Sequence, residues 1–236
     1  MSSLFPRARD PDVFPPTVSR WSVTIPEDAD PAQMVAGVAL PAALTRATAK
    51  RKIQFFAGRL CALRAMERLA PASPVVSVPQ DADGVPVWPA GLVGSISHAD
   101  GFATAAVASS SLARGIGVDI EPVMSREIAA EIAQIVAGEA ETRRVAQAAG
   151  LDAAEALTLA FSMKESLFKA LFPARRRHFD YLDCEVVRLD PGKRRFVLRF
   201  PPPFAAVFGA AEFAGRYELA DGAARTGVLV ARRNAP

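Results

Sequence analysis

The chain has 236 residues, 50% of them hydrophobic, and its 28 Lys and Arg against 25 Asp and Glu leave a formal net charge of +3. That length supports one large or two small domains with a sizeable core. The charge is too slight to argue for nucleic acid, but it suits an anionic ligand or an acidic partner. Two cysteines, Cys61 and Cys184, are too few for a disulfide framework and point to a reducing compartment. The first residues lack the apolar core of a signal peptide, and no run reaches the roughly 18 apolar residues of a membrane span. A soluble, cytoplasmic protein is expected.

Residues 1–16 are rich in Pro and predict an irregular lead-in, and "TVSRWSVTI" (17–25) predicts a strand. From Pro41 to Ala70 the chain is rich in Ala, Leu and Arg with no internal proline, which predicts one long helix ended by Pro71 and Pro74. Short strand-like runs follow at 85–88, 92–97, 102–109 and 115–120, with turn signals such as "DADG" and "HADG" between them. Past Pro122 the order restarts. Residues 125–150 predict one or two helices, and 152–172 a strong helix with Asp152 as its N-cap. Strands are predicted at 184–189, 195–200, 212–219 and 226–231, with a loop at Pro201–Pro203. Helix followed by strands, twice over, predicts an α+β protein of two halves, 1–119 and 120–236, without a visible sequence repeat.

Four stretches carry candidate chemistry. In "RGIGVDIEP" (114–122), Asp119 and Glu121 are separated by one residue, so in a strand they point to the same side. Two like charges there repel each other. Either they hold a hard cation such as Mg²⁺ or they are exposed or paired with nearby arginines. In "FSMKESLFKA" (161–170), Glu165 and Lys169 are four apart beside an apolar stripe of Leu157, Phe161, Phe168 and Leu171. Alone, that spacing describes an ordinary surface ion pair. In the same cleft as Asp119 and Glu121 it would add a third carboxylate and a cation. "GSISHADG" (94–101) places Ser97 and His98 at a strand end before a Gly turn, where hydroxyl, imidazole and turn amides suit phosphate, or where His98 has no role. In "AKRKIQFFAGR" (49–59), Arg51, Lys52 and Arg59 share one broad helix face, either solvated or an anion site.

In this order, "RKIQFFAGR", "GVPVWPAGLVGSISH", "GIGVDIEP" and "FSMKESLFKALFP" resemble the Sfp-type 4′-phosphopantetheinyl transferases, and more closely their branch similar to enterobactin synthetase component D. The resemblance runs from about Lys50 to Phe172. "GVDIE" followed by "FSxKES..KA" is its specific part, and the C-terminal strands add no motif. It implies two similar α+β halves related by a pseudo-twofold axis with the active site at their interface. It implies transfer of phosphopantetheine from coenzyme A to a serine of a carrier protein, with Mg²⁺. Asp119, Glu121 and Glu165 would hold the metal. Glu165 would also help deprotonate the serine, and Lys169 would bind phosphate and assist the leaving group. Arg51, Arg59, Ser97 and His98 would bind the phosphates of coenzyme A. A monomer is expected, because two fused halves complete one site. The chain departs from the family at Asp81 and Asp83, where relatives often carry a basic residue. A nuclease-like Mg²⁺ enzyme would show broader basic coverage, and a non-catalytic coenzyme A or carrier-binding module would tolerate loss of Asp119 or Glu165.

Overall fold

The structure, a computed structural model, describes residues 5–32, 38–71 and 77–232. Backbone contacts divide the chain into two units: Met1–Asp10, Pro15–Ile116 and Ala231–Pro236 in the first, Pro11–Phe14 and Gly117–Val230 in the second. The architecture is α+β. Among the described residues no helix is long and apolar enough to cross a membrane.

The first unit holds a four-stranded sheet and one long helix. Strands β1 (Arg7–Ala8), β2 (Ser19–Thr24), β3 (Leu92–Ala99) and β4 (Phe102–Ser109) lie in the order β1-β2-β4-β3. All of these pairs are antiparallel, with Trp21 opposite Ala105 and Ile96 opposite Ala105 on its other side. Helix α1 (Ala49–Leu69) packs Phe56, Ala57, Cys61, Ala62 and Ala65 against Ala103, Ala105 and Val107. Small residues on both surfaces bring helix and sheet close together. A Cβ at Gly58 would stand only 2.7 Å from Ile96 Cγ2.

The helix predicted from Pro41 starts eight residues later. Thr48 is extended and its side chain accepts the amide of Arg51, so a side-chain cap closes the helix there. A 3-10 turn, Ala42–Leu44, precedes it. Pro74, proposed as a helix stop, lies outside the described residues. The run 85–88 is not a strand; its one pairing is a bridge between Gln80 and Pro86. The Asp81 carboxylate accepts the amides of Asp83 and Val85, each at 3.0 Å, and Gly84 follows at φ 78°. Asp81 therefore builds the turn, which is why an acidic side chain stands there.

The second unit has a five-stranded sheet, in the order β5 (Ala113–Pro122), β9 (Ala223–Ala231), β8 (Glu212–Ala220), β7 (Arg195–Arg199) and β6 (Glu185–Asp190). Residues 125–150 form two helices, α2 (Arg126–Val136) and α3 (Glu139–Ala149), capped by Ser125 and ended by Gly150 in the left-handed region. Helix α4 (Ala153–Arg175) starts as expected at Asp152, in a capping box with Glu155. Its Leu157, Leu159, Ala160, Met163 and Leu167 are buried with Phe196, Leu198, Phe200 and Phe213 of the sheet side. The proline run predicted as a loop instead opens α5 (Pro202–Phe208). Pro201 is its N-cap and prolines fill the first turn, where no amide is needed. The N-terminal segment joins this unit: Val13 and Phe14 are buried, and a Cβ at Gly227 would meet Phe14 Cζ at 2.7 Å.

One contact positions the residues that follow. A Cβ on Gly117 would overlap the carbonyl oxygen of Ser166 and stand 2.8 Å from the amide nitrogen of Ala170. Strand β5 thus meets α4 backbone to backbone. Asp119, two residues along the same strand side, comes level with the next part of the helix. Gly117→Ala must push strand from helix, since neither backbone group can rotate away. The expected result is a loss of about 1–3 kcal/mol or more in a urea titration. An unchanged midpoint would show that the contact yields freely.

Candidate functional site

The eight residues singled out in the sequence fall four to each unit. In the first unit, α1 puts Arg51 in its first turn and Arg59 two turns further on. Arg51 is exposed, and its guanidinium donates to His98 Nε2 on β3 at 2.7 Å. A guanidinium has only donors, so Nε2 must accept. Ser97, beside it on β3, is buried. Arg59 does not lie on a solvated face with Arg51 and Lys52. It is 6% exposed, with its guanidinium 4.6 Å from the centroid of the Phe55 ring. Among the described residues no carboxylate pairs with Arg59, and its Nε has no hydrogen-bond partner. Burial, and then the nearby Arg51 charge, pull its pKa down to about 10. A buried cation with no counter-charge is expensive, and an anion beside it removes that cost.

In the second unit, β5 and α4 supply the other four. Asp119 is 1% exposed, and Lys169 Nζ donates to its Oδ1 at 2.5 Å. The Lys169 side chain is 28% exposed, so this ammonium reaches both the carboxylate and solvent. Burial opposes its charge, but Asp119 first and then Glu165 and Glu121 outweigh that and hold its pKa above the ordinary lysine value. The i,i+4 spacing of Glu165 and Lys169 therefore does more than join two side chains on a helix surface. Glu165 accepts the Tyr181 hydroxyl on Oε1 at 2.5 Å. Glu121 is half-buried, and its carboxyl is pushed up to about 7 by burial, then by Asp119, with Lys169 opposing and Glu165 adding. Ser162, on the same helix, is wholly buried and pairs with Thr226 at 2.9 Å, away from the carboxylates.

Among the described residues no group of three or more His, Cys, Asp or Glu stands at metal-holding geometry. Lys169 donates to Asp119 and the Tyr181 hydroxyl to Glu165, so protein donors already engage two of these carboxylates. The donor set itself still suits a hard divalent cation. It offers carboxylate oxygens only, and after burial it is repulsion from Asp119, with a smaller share from Glu165, that raises Glu121 from its ordinary 4.5 to about 7. A divalent ion removes that repulsion.

Two residues in this unit escaped the sequence reading. Tyr181 follows α4 in the run "RHFDYLD", where nothing in the spacing points back to Glu165. Lys164 did leave a signal. It falls among Ala160, Met163 and Leu167 on the buried side of α4, and a lysine inside an apolar stripe needs a buried partner. That partner is Glu141, at 2.9 Å.

Comparison with known proteins accounts for both units. A model of the 4′-phosphopantetheinyl transferase N-terminal domain matches residues 40–108, and a model of the 4′-phosphopantetheinyl transferase superfamily matches residues 115–220. The chain is 33% identical over 195 residues to 4′-phosphopantetheinyl transferase Svp of Streptomyces mobaraensis, covering 80% of this chain and 76% of that one. It therefore belongs to the 4′-phosphopantetheinyl transferase superfamily. It is 29% identical over 198 residues to 4′-phosphopantetheinyl transferase Npt of Nocardia iowensis, covering 80% of this chain and 86% of that one. To enterobactin synthase component D of Salmonella austin it is 42% identical over 127 residues, 54% of this chain. The match spans about half the length of that relative (50%).

Proposed function

We propose that the chain transfers the 4′-phosphopantetheine group of coenzyme A to a serine of an apo carrier protein and releases 3′,5′-ADP, with Mg²⁺ held by Asp119, Glu121 and Glu165. The observation that carries this reading is the pair of a buried Asp119 with a partly exposed Lys169, with Glu121 and Glu165 close enough to act on its charge. Three carboxylates and one ammonium, drawn from one strand and one helix, suit a reaction in which negative charge moves between phosphate oxygens. The serine oxygen bonds to the β-phosphorus of coenzyme A, and the bond from that phosphorus to the bridging oxygen breaks. Glu165 draws the serine proton, directly or through a water. Lys169 sets its ammonium against the charge that builds on the departing phosphate. A bound Mg²⁺ supplies further neutralisation of the pyrophosphate.

Arg51, Arg59, Ser97 and His98 bind the phosphates of coenzyme A in this reading, and the buried, uncompensated Arg59 is the strongest support for an anion there. The exposed arginines at 175–177 and the basic run 192–196 face an acidic carrier. The two free cysteines, both buried, suit a cytoplasmic enzyme, and we take it to act as a monomer. Incubation with coenzyme A, Mg²⁺ and a panel of apo aryl, peptidyl and acyl carriers tests the reaction. A carrier mass gain equal to phosphopantetheine is expected, and an unmodified panel would overturn it.

The arginine assignment has its own test. Arg59→Met keeps apolar bulk and removes the charge. If Arg59 contacts the 3′-phosphate, kcat/KM for coenzyme A falls about 10- to 100-fold, the worth of one charge-assisted contact. Dephospho-coenzyme A, which lacks that phosphate, loses little. An equal loss for both donors would move Arg59 to the pyrophosphate or to the fold.

A further inference from the structure

We infer that Tyr181 is the positioning residue of Glu165, and that the buried Lys164–Glu141 pair holds Tyr181 in place for that task. The inference rests on the role of Glu165 in the transfer proposed above.

Lys164 and Glu165 are neighbours on α4 and point about 100° apart. The Lys164 side chain is wholly buried. Its ammonium has three protons and spends all three: on the Val136 carbonyl that ends α2, on Glu141 Oε2 in the first turn of α3, and on the Tyr181 carbonyl, each at 2.9 Å. The other Glu141 oxygen accepts the Val186 amide of β6 at 2.8 Å. One buried charge pair thus binds two helix ends, a strand and the Tyr181 turn into one piece.

Tyr181 is held at three points. Its carbonyl is on Lys164, its ring lies 5.2 Å from that of Phe161, and its hydroxyl donates to Glu165. The 3-10 turn that carries it, Tyr181–Asp183, is itself closed by Asp183 Oδ2 accepting the Asp180 amide at 2.7 Å. A glutamate on a helix surface otherwise samples many rotamers. With Oε1 held by a phenol anchored through its own carbonyl and ring, Glu165 favours one arrangement that leaves Oε2 for chemistry. Glu165 and Tyr181 also share the wall of a cavity of about 200 Å³ with Phe168, Phe179 and Asp180. The carboxylate is therefore held at the edge of open space large enough for a reacting group.

Tyr181→Phe removes the hydroxyl and keeps the ring on Phe161. The expected result is a melting temperature close to wild type, kcat lower by roughly tenfold or more, and KM for coenzyme A within about twofold. In calorimetric titration without coenzyme A, Mg²⁺ should bind the variant roughly tenfold more weakly, because the carboxylate is no longer held. In a Glu165→Ala background, Tyr181→Phe should cost nothing further, since the hydroxyl then has no carboxylate to aim. Unchanged kcat and Mg²⁺ affinity would overturn the inference. So would tighter Mg²⁺ binding, which would mean that Tyr181 competes for the carboxylate, and so would an equal loss in the Glu165→Ala background. A wild-type protein that modifies no carrier would overturn the proposed reaction instead, and the Mg²⁺ titrations would still decide what Tyr181 does.

Discussion

Replacing Lys164 with methionine is expected to destabilise the protein by about 3–5 kcal/mol, the range for removing one partner of a buried ion pair. The stem of the side chain is kept, so little of the loss is packing. What remains is a Glu141 carboxylate at 6% side-chain exposure, with the Val136 and Tyr181 carbonyls stripped of their donor. Burial already raises the Glu141 pKa even with Lys164 beside it, which shows desolvation outweighing the attraction. Lys164→Met combined with Glu141→Met removes both charges and should recover part of the loss. It should not recover all, because the Val186 amide then lacks its acceptor. Urea midpoints of the single and double variants decide this. A double variant no better than Lys164→Met would mean that the stranded carboxylate was not the main cost.

Asp119→Ala is expected to abolish transfer, by roughly a thousandfold or more, while leaving the fold nearly as stable. Asp119 orders Lys169 and offers the most deeply buried carboxylate of its group. Its loss removes the anchor of the ammonium and a proposed ligand at once. Lys169, 28% exposed, can turn to solvent or to the other carboxylates, so no charge is stranded. Glu121 is also relieved. Its folded-state pKa is raised from 4.5 to about 7, so this group costs stability as pH rises through that window in the metal-free protein. The variant should lose less between those pH values, read as melting temperature against pH in the presence of a chelator. Mg²⁺-dependent turnover near wild type would remove Asp119 from the metal site.

Much of the frame was legible because its signals are local. Asp152 before an apolar helix gives the capping box, and the continuous run of small and apolar residues from Phe102 to Ser109 gives a strand with the predicted bounds. The failures have physical causes. Thr48 overrode the helical composition of residues 41–47, because a capped start is better than an uncapped extension. The prolines at 201–203 read as a loop, although proline is at home in a first turn. At the candidate site, periodicity identified which residues share a face but not how deep that face lies. Arg59 shares a helix side with Arg51 and is nonetheless covered. Tyr181 was invisible because its partner lies across a turn, on a different element. Lys164 was legible in principle, as a charge in the wrong place.

The long-range contacts of residues 12–14 bear on how the molecule is made. Asp12 donates its amide to Glu218, 206 residues later, and Val13 and Phe14 pack where Gly227 leaves room for them. Arg232 likewise donates its amide far back in the chain, to the Leu112 carbonyl. During synthesis on the ribosome, Phe14 emerges long before its seat on β9 is made. Its ring has no seat on that strand until β9 follows. The second unit therefore cannot seat Phe14 until β9 has left the ribosome.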